Sequence, residues 1–318
     1  MEKYLITGFS GFVSRHFLDH LNQQKKSVAV LGLDINTPDF DLNYSHVHCA
    51  FRNANLLNRD DVNNVIYEFQ PNYILHLASF SSVAYSWKNP VLSFANNTNI
   101  FLNLLEQIRS IKLKCRILSI GSSEEYGNVQ TDHLPLTETT PLNPLSPYAV
   151  ARVSQEMLSK IYVDGYGLDV VITRSFNHIG PGQKDIFVVS SFAKQLVELK
   201  NAGKPVEIST GDLTIVRDFT DVRDVVKAYY LLLHKGQSGE IYNVCSNRGV
   251  ALSQVVSMMG DLLNISVTTN TDPALIRPND NRIIIGCNKK IKEHTGWQTS
   301  VTLEESLGDL LTHWEKIV

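Results

Sequence analysis

The chain has 318 residues, is 43% hydrophobic and carries a formal net charge of -3, with an isoelectric point near 6.4. That length can bury one large core or two moderate ones, and the weakly acidic balance, with no basic tail or Lys/Arg stripe, excludes a general nucleic-acid binder. No stretch approaches the roughly 18 apolar residues of a membrane span, and Cys49, Cys115, Cys245 and Cys287 are too scattered for a metal site, so no metal and no membrane partner are expected.

The first residues run straight into a strand, with no signal-peptide pattern, so a reducing cytoplasm is the expected location. That strand is Tyr4-Leu5-Ile6-Thr7, after which Val13, Phe17 and Leu21 recur at the spacing of one helix face. Between them lies Gly8-Phe9-Ser10-Gly11-Phe12-Val13-Ser14. A glycine loop between a strand and a helix is a seat for a dinucleotide. Gly8 permits the tight turn, Gly11 lets the backbone approach the pyrophosphate, and the helix start offers free N–H groups to the phosphates, with Ser10 and Phe12 in the same loop. The third position of the pattern, usually glycine, is Ser14, which should cost some closeness of packing.

Val28-Ala29-Val30-Leu31-Gly32-Leu33 is the apolar run of a strand buried on both faces, and it ends in Asp34. A carboxylate there accepts hydrogen bonds from the adenosine ribose and repels a 2′-phosphate, which favours NAD(H) while leaving NADP(H) open. A strand around Val47-His48-Cys49 precedes a helix carrying Val62, Val65, Ile66 and Phe69, and Pro71 separates that helix from the strand Tyr73-Ile74-Leu75-His76-Leu77. Asn55-Leu56 and Leu77-Ala78, just past the third and fourth strands, are placed to line the adenine and ribose. A long helix over 91–110, the strand Arg116-Ile117-Leu118-Ser119-Ile120 and a helix over 147–165 complete the first half. Such alternation implies right-handed crossovers and a parallel sheet covered on both faces, an α/β Rossmann-type doubly wound fold.

After Arg174 the rhythm changes. Asn177-His178-Ile179-Gly180-Pro181-Gly182-Gln183 is rich in turn formers. Then come helices over 190–202, 221–234, 253–263 and 303–314, and short strands near 206–208, 216–219 and 241–244. The expected organisation is a dinucleotide-binding domain over 1–175, with segments near 210–245 returning to it, and a smaller interleaved C-terminal substrate lobe over 176–318.

Taken together, several motifs resemble the extended short-chain dehydrogenase/reductase superfamily, in its nucleotide-sugar branch. They are Ile6-Thr7-Gly8-Phe9-Ser10-Gly11-Phe12, His76-Leu77-Ala78, Gly121-Ser122-Ser123-Glu124-Glu125-Tyr126-Gly127, Ser146-Pro147-Tyr148-Ala149-Val150-Ala151-Arg152 and Arg277-Pro278-Asn279-Asp280. The segments Phe176-Asn177-His178-Ile179-Gly180-Pro181-Gly182-Gln183, Val216-Arg217-Asp218-Phe219 and Tyr242-Asn243-Val244-Cys245-Ser246 look most like GDP-4-keto-6-deoxy-D-mannose reductases, which make GDP-D-rhamnose. GDP-mannose 4,6-dehydratases are the near neighbours.

The resemblance implies reduction of a sugar ketone by hydride from a nicotinamide, with a tyrosine supplying the proton. A phenol of ordinary pKa about 10 does so near neutrality only beside a positive charge. In this family that charge is a lysine one helical turn later, and a hydroxyl from the preceding strand holds the substrate oxygen. Carried over, Tyr148 is the proton donor, Ser122 the hydroxyl, and the lysine position is Arg152. None of the 12 tyrosines has a lysine four residues on. Arginine keeps the charge and spacing but is a planar fork rather than a compact ammonium. Three outcomes stay open: arginine suffices, the enzyme is slow, or the chain is a catalytically weakened nucleotide-sugar and dinucleotide binder.

Glu124 occupies the place of the acid that family dehydratases use as a base, which keeps a 4,6-dehydratase as the enzymatic alternative. By the same resemblance, Ser123, Asn177, Arg217, Arg277 and Asp280 contact a GDP-sugar substrate, the arginines through its diphosphate. The helices over 91–110 and 147–165 are the candidate faces of a homodimer.

Overall fold

A computed structural model describes residues 1–276 and 281–318. In chain order it contains β1 (Glu2–Thr7), α1 (Phe12–Gln23), β2 (Val28–Asp34), β3 (Val47–Asn53), α2 (Arg59–Phe69), β4 (Tyr73–His76), α3 (Val83–Lys88), α4 (Pro90–Ser110), β5 (Arg116–Ser122), α5 (Pro147–Tyr166), β6 (Asp169–Ser175), β7 (Asn177–Ile179) and α6 (Val188–Asn201). There follow β8 (Glu207–Thr210), β9 (Val216–Asp221), α7 (Val222–Lys235), β10 (Ile241–Val244), β11 (Gly249–Ala251), α8 (Leu252–Leu263), β12 (Thr268–Thr271), β13 (Ile283–Ile284), α9 (Lys289–Thr295) and α10 (Leu303–Glu315).

Seven strands form one sheet in the order β10-β6-β5-β4-β1-β2-β3, and every neighbouring pair is parallel. A strand buried on both faces must be apolar along its whole length, and alternate side chains then feed opposite layers. In β1, Tyr4 and Ile6 point into a core shared with Phe17 and Leu18 of α1 and Val225, Tyr229 and Leu232 of α7. Leu5 points the other way, into a core with Val62 and Ile66 of α2 and Ile100, Phe101 and Leu104 of α4. These two apolar layers are the doubly wound architecture expected from the strand–helix alternation.

The chain starts mid-sheet in β1, winds outward to β3, then crosses back to β4 and winds the other way. The carboxyl ends of β1 and β4 therefore lead to loops that diverge, and a crevice opens where the winding reverses. Gly8 and Leu77-Ala78 stand on its two sides.

A second, smaller assembly has β9 between β11 and β13, with β7 also pairing β9, and β8 pairs with β12. Helices α6, α8 and α10 close over a third core that includes Phe192, Leu196, Met259, Leu307 and Leu310. The chain passes between the assemblies at Asp221: β9 belongs to the smaller sheet, while α7 and β10, which follow directly, belong to the larger one. Asp221 caps α7 by accepting from the Arg223 N–H at 2.7 Å. Among the described residues no helix is long and apolar enough to cross a membrane.

Candidate active site

The glycine loop is built for close approach. Gly8 has φ +69°, and a Cβ there would lie 2.6 Å from the Ala78 nitrogen and 2.8 Å from the Leu77 carbonyl carbon. The opposing segment is pinned in return, since Leu77 N–H donates to the Thr7 carbonyl at 3.1 Å and Ala78 N–H to Thr7 Oγ1 at 3.2 Å. Gly11 precedes α1 in an extended conformation without a side-chain cap, and the first turn of α1 has no acidic residue. Its first N–H groups and the positive end of the helix dipole are thus left for an anion. A dinucleotide pyrophosphate fits this cradle. Ser14 is fully buried and donates to the Gly8 carbonyl at 3.3 Å. The residue expected only to loosen packing therefore also ties the helix to the turn.

Asp34 closes the loop's far side. One carboxylate oxygen accepts from the Ser10 N–H at 2.9 Å, the other from the Asn36 N–H at 3.0 Å. Leu56 is buried, and the Asn55 side chain accepts from the Leu57 N–H at 3.0 Å, turning the chain just past β3.

The catalytic candidates sit on β5 and α5. Ser122 ends β5 and caps the single 3-10 turn Ser123–Tyr126: its Oγ accepts from the Glu124 N–H at 3.2 Å. Glu125 returns the contact, with Oε1 accepting from the Ser122 N–H at 2.7 Å. Ser146 caps α5 by accepting from the Ala149 N–H at 3.1 Å. With Pro147 opening the helix, Tyr148 falls in its first turn and Arg152 one turn on. Both are buried. Arg152 Nε donates to the Tyr148 hydroxyl oxygen at 3.2 Å, and the guanidinium lies 5.3 Å from the phenol ring centre. The same guanidinium donates to the Ile120 carbonyl at 2.9 Å, which fastens α5 to β5 two residues before Ser122.

Sequence reasoning singled out Glu124 and missed its neighbour. Glu124 is half-buried, whereas Glu125 is fully buried and its Oε2 has no hydrogen-bond partner among the described residues. Burial first, then the negative charge of Glu156, push the Glu125 carboxyl up to about 8 from an ordinary 4.5. Glu156 itself is held by a buried ion pair with Arg174 at 2.9 Å. Between those two pH values the folded protein keeps a proton on Glu125 that the unfolded chain gives up. Stability contributed by this residue is therefore present below about 4.5, declines as pH rises, and is fully lost above about 8. Glu125→Gln keeps the acceptor for Ser122 and cannot ionise. Its melting temperature should match the parent's near pH ~5 and exceed it by several degrees near pH ~9; parallel melting curves across that range would refute the assignment.

In the smaller assembly, β7 places Asn177 half-buried opposite Phe219 of β9. The loop after it rests on the dinucleotide loop: His178 stacks on Phe12 at 5.7 Å, and His16 Nε2 meets the Pro181 carbonyl at 2.8 Å. Arg217 is buried and donates to the carbonyls of Asn281 at 2.6 Å and Val216 at 3.0 Å. Its neighbour Asp218 accepts from the N–H groups of Ser246, Asn247 and Gly286, which ties the segments after β10 and β13 to β9. Ser123 is buried. Arg277 and Asp280 lie outside the described residues. Among the described residues no group of three or more His, Cys, Asp or Glu side chains is arranged to hold a metal.

The family described as GDP-mannose 4,6 dehydratase matches residues 5–310. A GDP-6-deoxy-D-mannose reductase from Pseudomonas aeruginosa is 31% identical over 317 residues, covering 100% of this chain and 98% of that protein. A GDP-mannose 4,6-dehydratase from Yersinia enterocolitica is 25% identical over 98% of this chain and 93% of its own length. Among solved structures, RMD from Pseudomonas aeruginosa complexed with NADPH superposes with a TM-score of 0.87 at 29% identity, each chain covered completely. A UDP-glucose 4-epimerase from Thermus thermophilus in complex with NAD gives 0.86 at 28%, over 99% of this chain and 100% of that one.

Proposed function

The chain belongs to the GDP-mannose 4,6-dehydratase family, and from that premise we propose that it reduces the C4 ketone of a GDP-linked 4-keto-6-deoxy sugar. Enzymes of this kind are nucleotide-sugar oxidoreductases that bind a nicotinamide dinucleotide. The observation that carries the finer reading is the buried Tyr148–Arg152 contact at 3.2 Å, within a chain that matches a reductase along its whole length.

A reduced nicotinamide dinucleotide held on the glycine loop would supply the hydride for C4. The chain's own residues do the rest. Tyr148 gives its hydroxyl proton to the ketone oxygen as that oxygen gains charge, so the product is an alcohol, and the tyrosinate regains its proton from solution, one proton being consumed per turnover. Ser122 orients the same oxygen. Arg152 holds its positive charge against the tyrosine oxygen and toward the nicotinamide ribose. Gly8, Gly11, Ser10 and Phe12 seat the pyrophosphate; Asp34, Asn55, Leu56, Leu77 and Ala78 line the adenosine. Asp34 favours NADH, since a 2′-phosphate would meet its carboxylate. The C-terminal lobe, 176–318, takes the GDP-sugar, with Asn177, Arg217, Arg277, Asp280 and Ser123 around the diphosphate and sugar.

Val91, Phe94 and Leu92 of α4 and Val150, Met157 and Ile161 of α5 are exposed, an apolar stripe on two packed helices that suits a second copy of the chain. A monomeric mass in sedimentation would refute that dimer.

The reading is tested with GDP-4-keto-6-deoxy-mannose and NADH or NADPH. One reduced dinucleotide should be consumed per sugar, with NADH bound more tightly. Tighter binding of NADPH would overturn the role of Asp34. Conversion of GDP-mannose without added cofactor would overturn the reductase in favour of the dehydratase, the reading that Glu124 keeps open.

A further inference from the structure

Arg152 is only 4% exposed, and no carboxylate forms an ion pair with it among the described residues. A buried cation of this kind is costly unless its N–H groups are all directed at acceptors. Four contacts account for four of its five N–H groups: the Tyr148 hydroxyl at 3.2 Å, the Ile120 carbonyl at 2.9 Å, Gln155 Oε1 at 2.6 Å and Ser79 Oγ.

Two of these acceptors are side chains that serve this purpose. Gln155 is 1% exposed, and its Nε2 donates to Ser119 Oγ at 2.8 Å and to the Ile120 carbonyl at 3.1 Å. With its amide nitrogen spent on β5, its oxygen is turned toward Arg152. Ser119 is steadied in turn by Ser159 Oγ at 3.2 Å. Ser79, from the loop after β4, meets the fork on its other arm. The acceptors come from three directions, from β5, from α5 and from the β4 loop, and they match a planar fork with five N–H groups. A lysine ammonium is a compact point with three.

We infer that Ser79 and Gln155 are positioning residues that make arginine obligatory here, so that Arg152 is a seated replacement for lysine and the Arg152→Lys change loses function. The inference rests on the proposed reductase reading, because it assigns Arg152 to the proton donor.

The test is a double-mutant cycle read in both kcat and melting temperature. Arg152→Lys should lower kcat by roughly 100-fold and the melting temperature by several degrees, leaving Ile120, Gln155 and Ser79 short of donors. Ser79→Ala should lower kcat by roughly 10-fold in the parent, with the KM for keto-sugar within about 2-fold, and cost nothing further in the Arg152→Lys background. Ser79→Thr, which keeps the hydroxyl, should stay near the parent. Gln155→Leu should behave as Ser79→Ala does; if it fails to fold, the Ser79 cycle decides.

A kcat for Arg152→Lys at or above the parent's would overturn the inference. So would a Ser79→Ala loss of the same size in both backgrounds. Should the parent turn over no keto-sugar at all, the reductase reading falls, and the melting-temperature cycle alone decides whether Ser79 and Arg152 are coupled.

Discussion

Tyr148→Phe should reduce keto-sugar reduction by about 1,000-fold, within the range set by loss of a general acid, while dinucleotide affinity changes little. The geometry separates the two effects. Arg152 donates to the phenol oxygen, so that contact leaves the hydroxyl proton of Tyr148 free to move to a substrate. The ring itself packs in a buried position beneath the guanidinium, and phenylalanine retains that packing. Titrating the variant with NADH by nicotinamide fluorescence and then following its oxidation on adding keto-sugar measures both. A variant that keeps more than about a tenth of the parent's rate would remove Tyr148 from the chemistry.

The second large effect is at the glycine loop. Gly8→Ala should weaken dinucleotide binding by roughly 100-fold, or about 2.7 kcal/mol. The added methyl would meet the Ala78 nitrogen at 2.6 Å and the Leu77 carbonyl carbon at 2.8 Å, and both are backbone atoms. No flexible side chain stands there to yield, and the residue must also hold φ +69°, a conformation that costs an L residue about 1–2 kcal/mol. The relief available is to part the β1 and β4 loops, which widens the cradle for the pyrophosphate. Isothermal titration with NADH reads the loss, and far-ultraviolet circular dichroism reports whether the sheet persists. Affinity within about 3-fold of the parent would show that the pyrophosphate rests elsewhere.

Much of the large sheet was legible because its strands are short apolar runs separated by helices of regular period. Val28 to Leu33 could hardly be anything but a buried strand, and the glycine loop is informative through its position between β1 and α1. The smaller sheet was not legible in the same way. β7 and β11 have three residues each and β13 has two, too few for any alternation to register. The six-residue α3 is likewise shorter than two helical turns. At the candidate site, the Tyr148–Arg152 spacing could be read along one helix, but Ser79 and Gln155 matter only through contacts that the fold brings together. Glu124 and Glu125 are adjacent in sequence, and only burial tells them apart. Ser14 looked like a slightly oversized glycine until its hydroxyl was seen to reach the Gly8 carbonyl.

The position of β10 has a consequence for biosynthesis. It is the outermost strand beside β6, yet the chain makes β7, α6, β8, β9 and α7 between them. As the polypeptide emerges from the ribosome, six strands of the large sheet are available well before the seventh. Until then β6, with Val170, Val171 and Ile172 otherwise fully buried, presents an unpaired apolar edge, the kind of surface on which nascent chains pair with one another. Slow translation through 176–240 would prolong that exposure, and a chain released early in this stretch would keep it permanently. The β6 edge is therefore where a nascent-chain chaperone would have the most to protect.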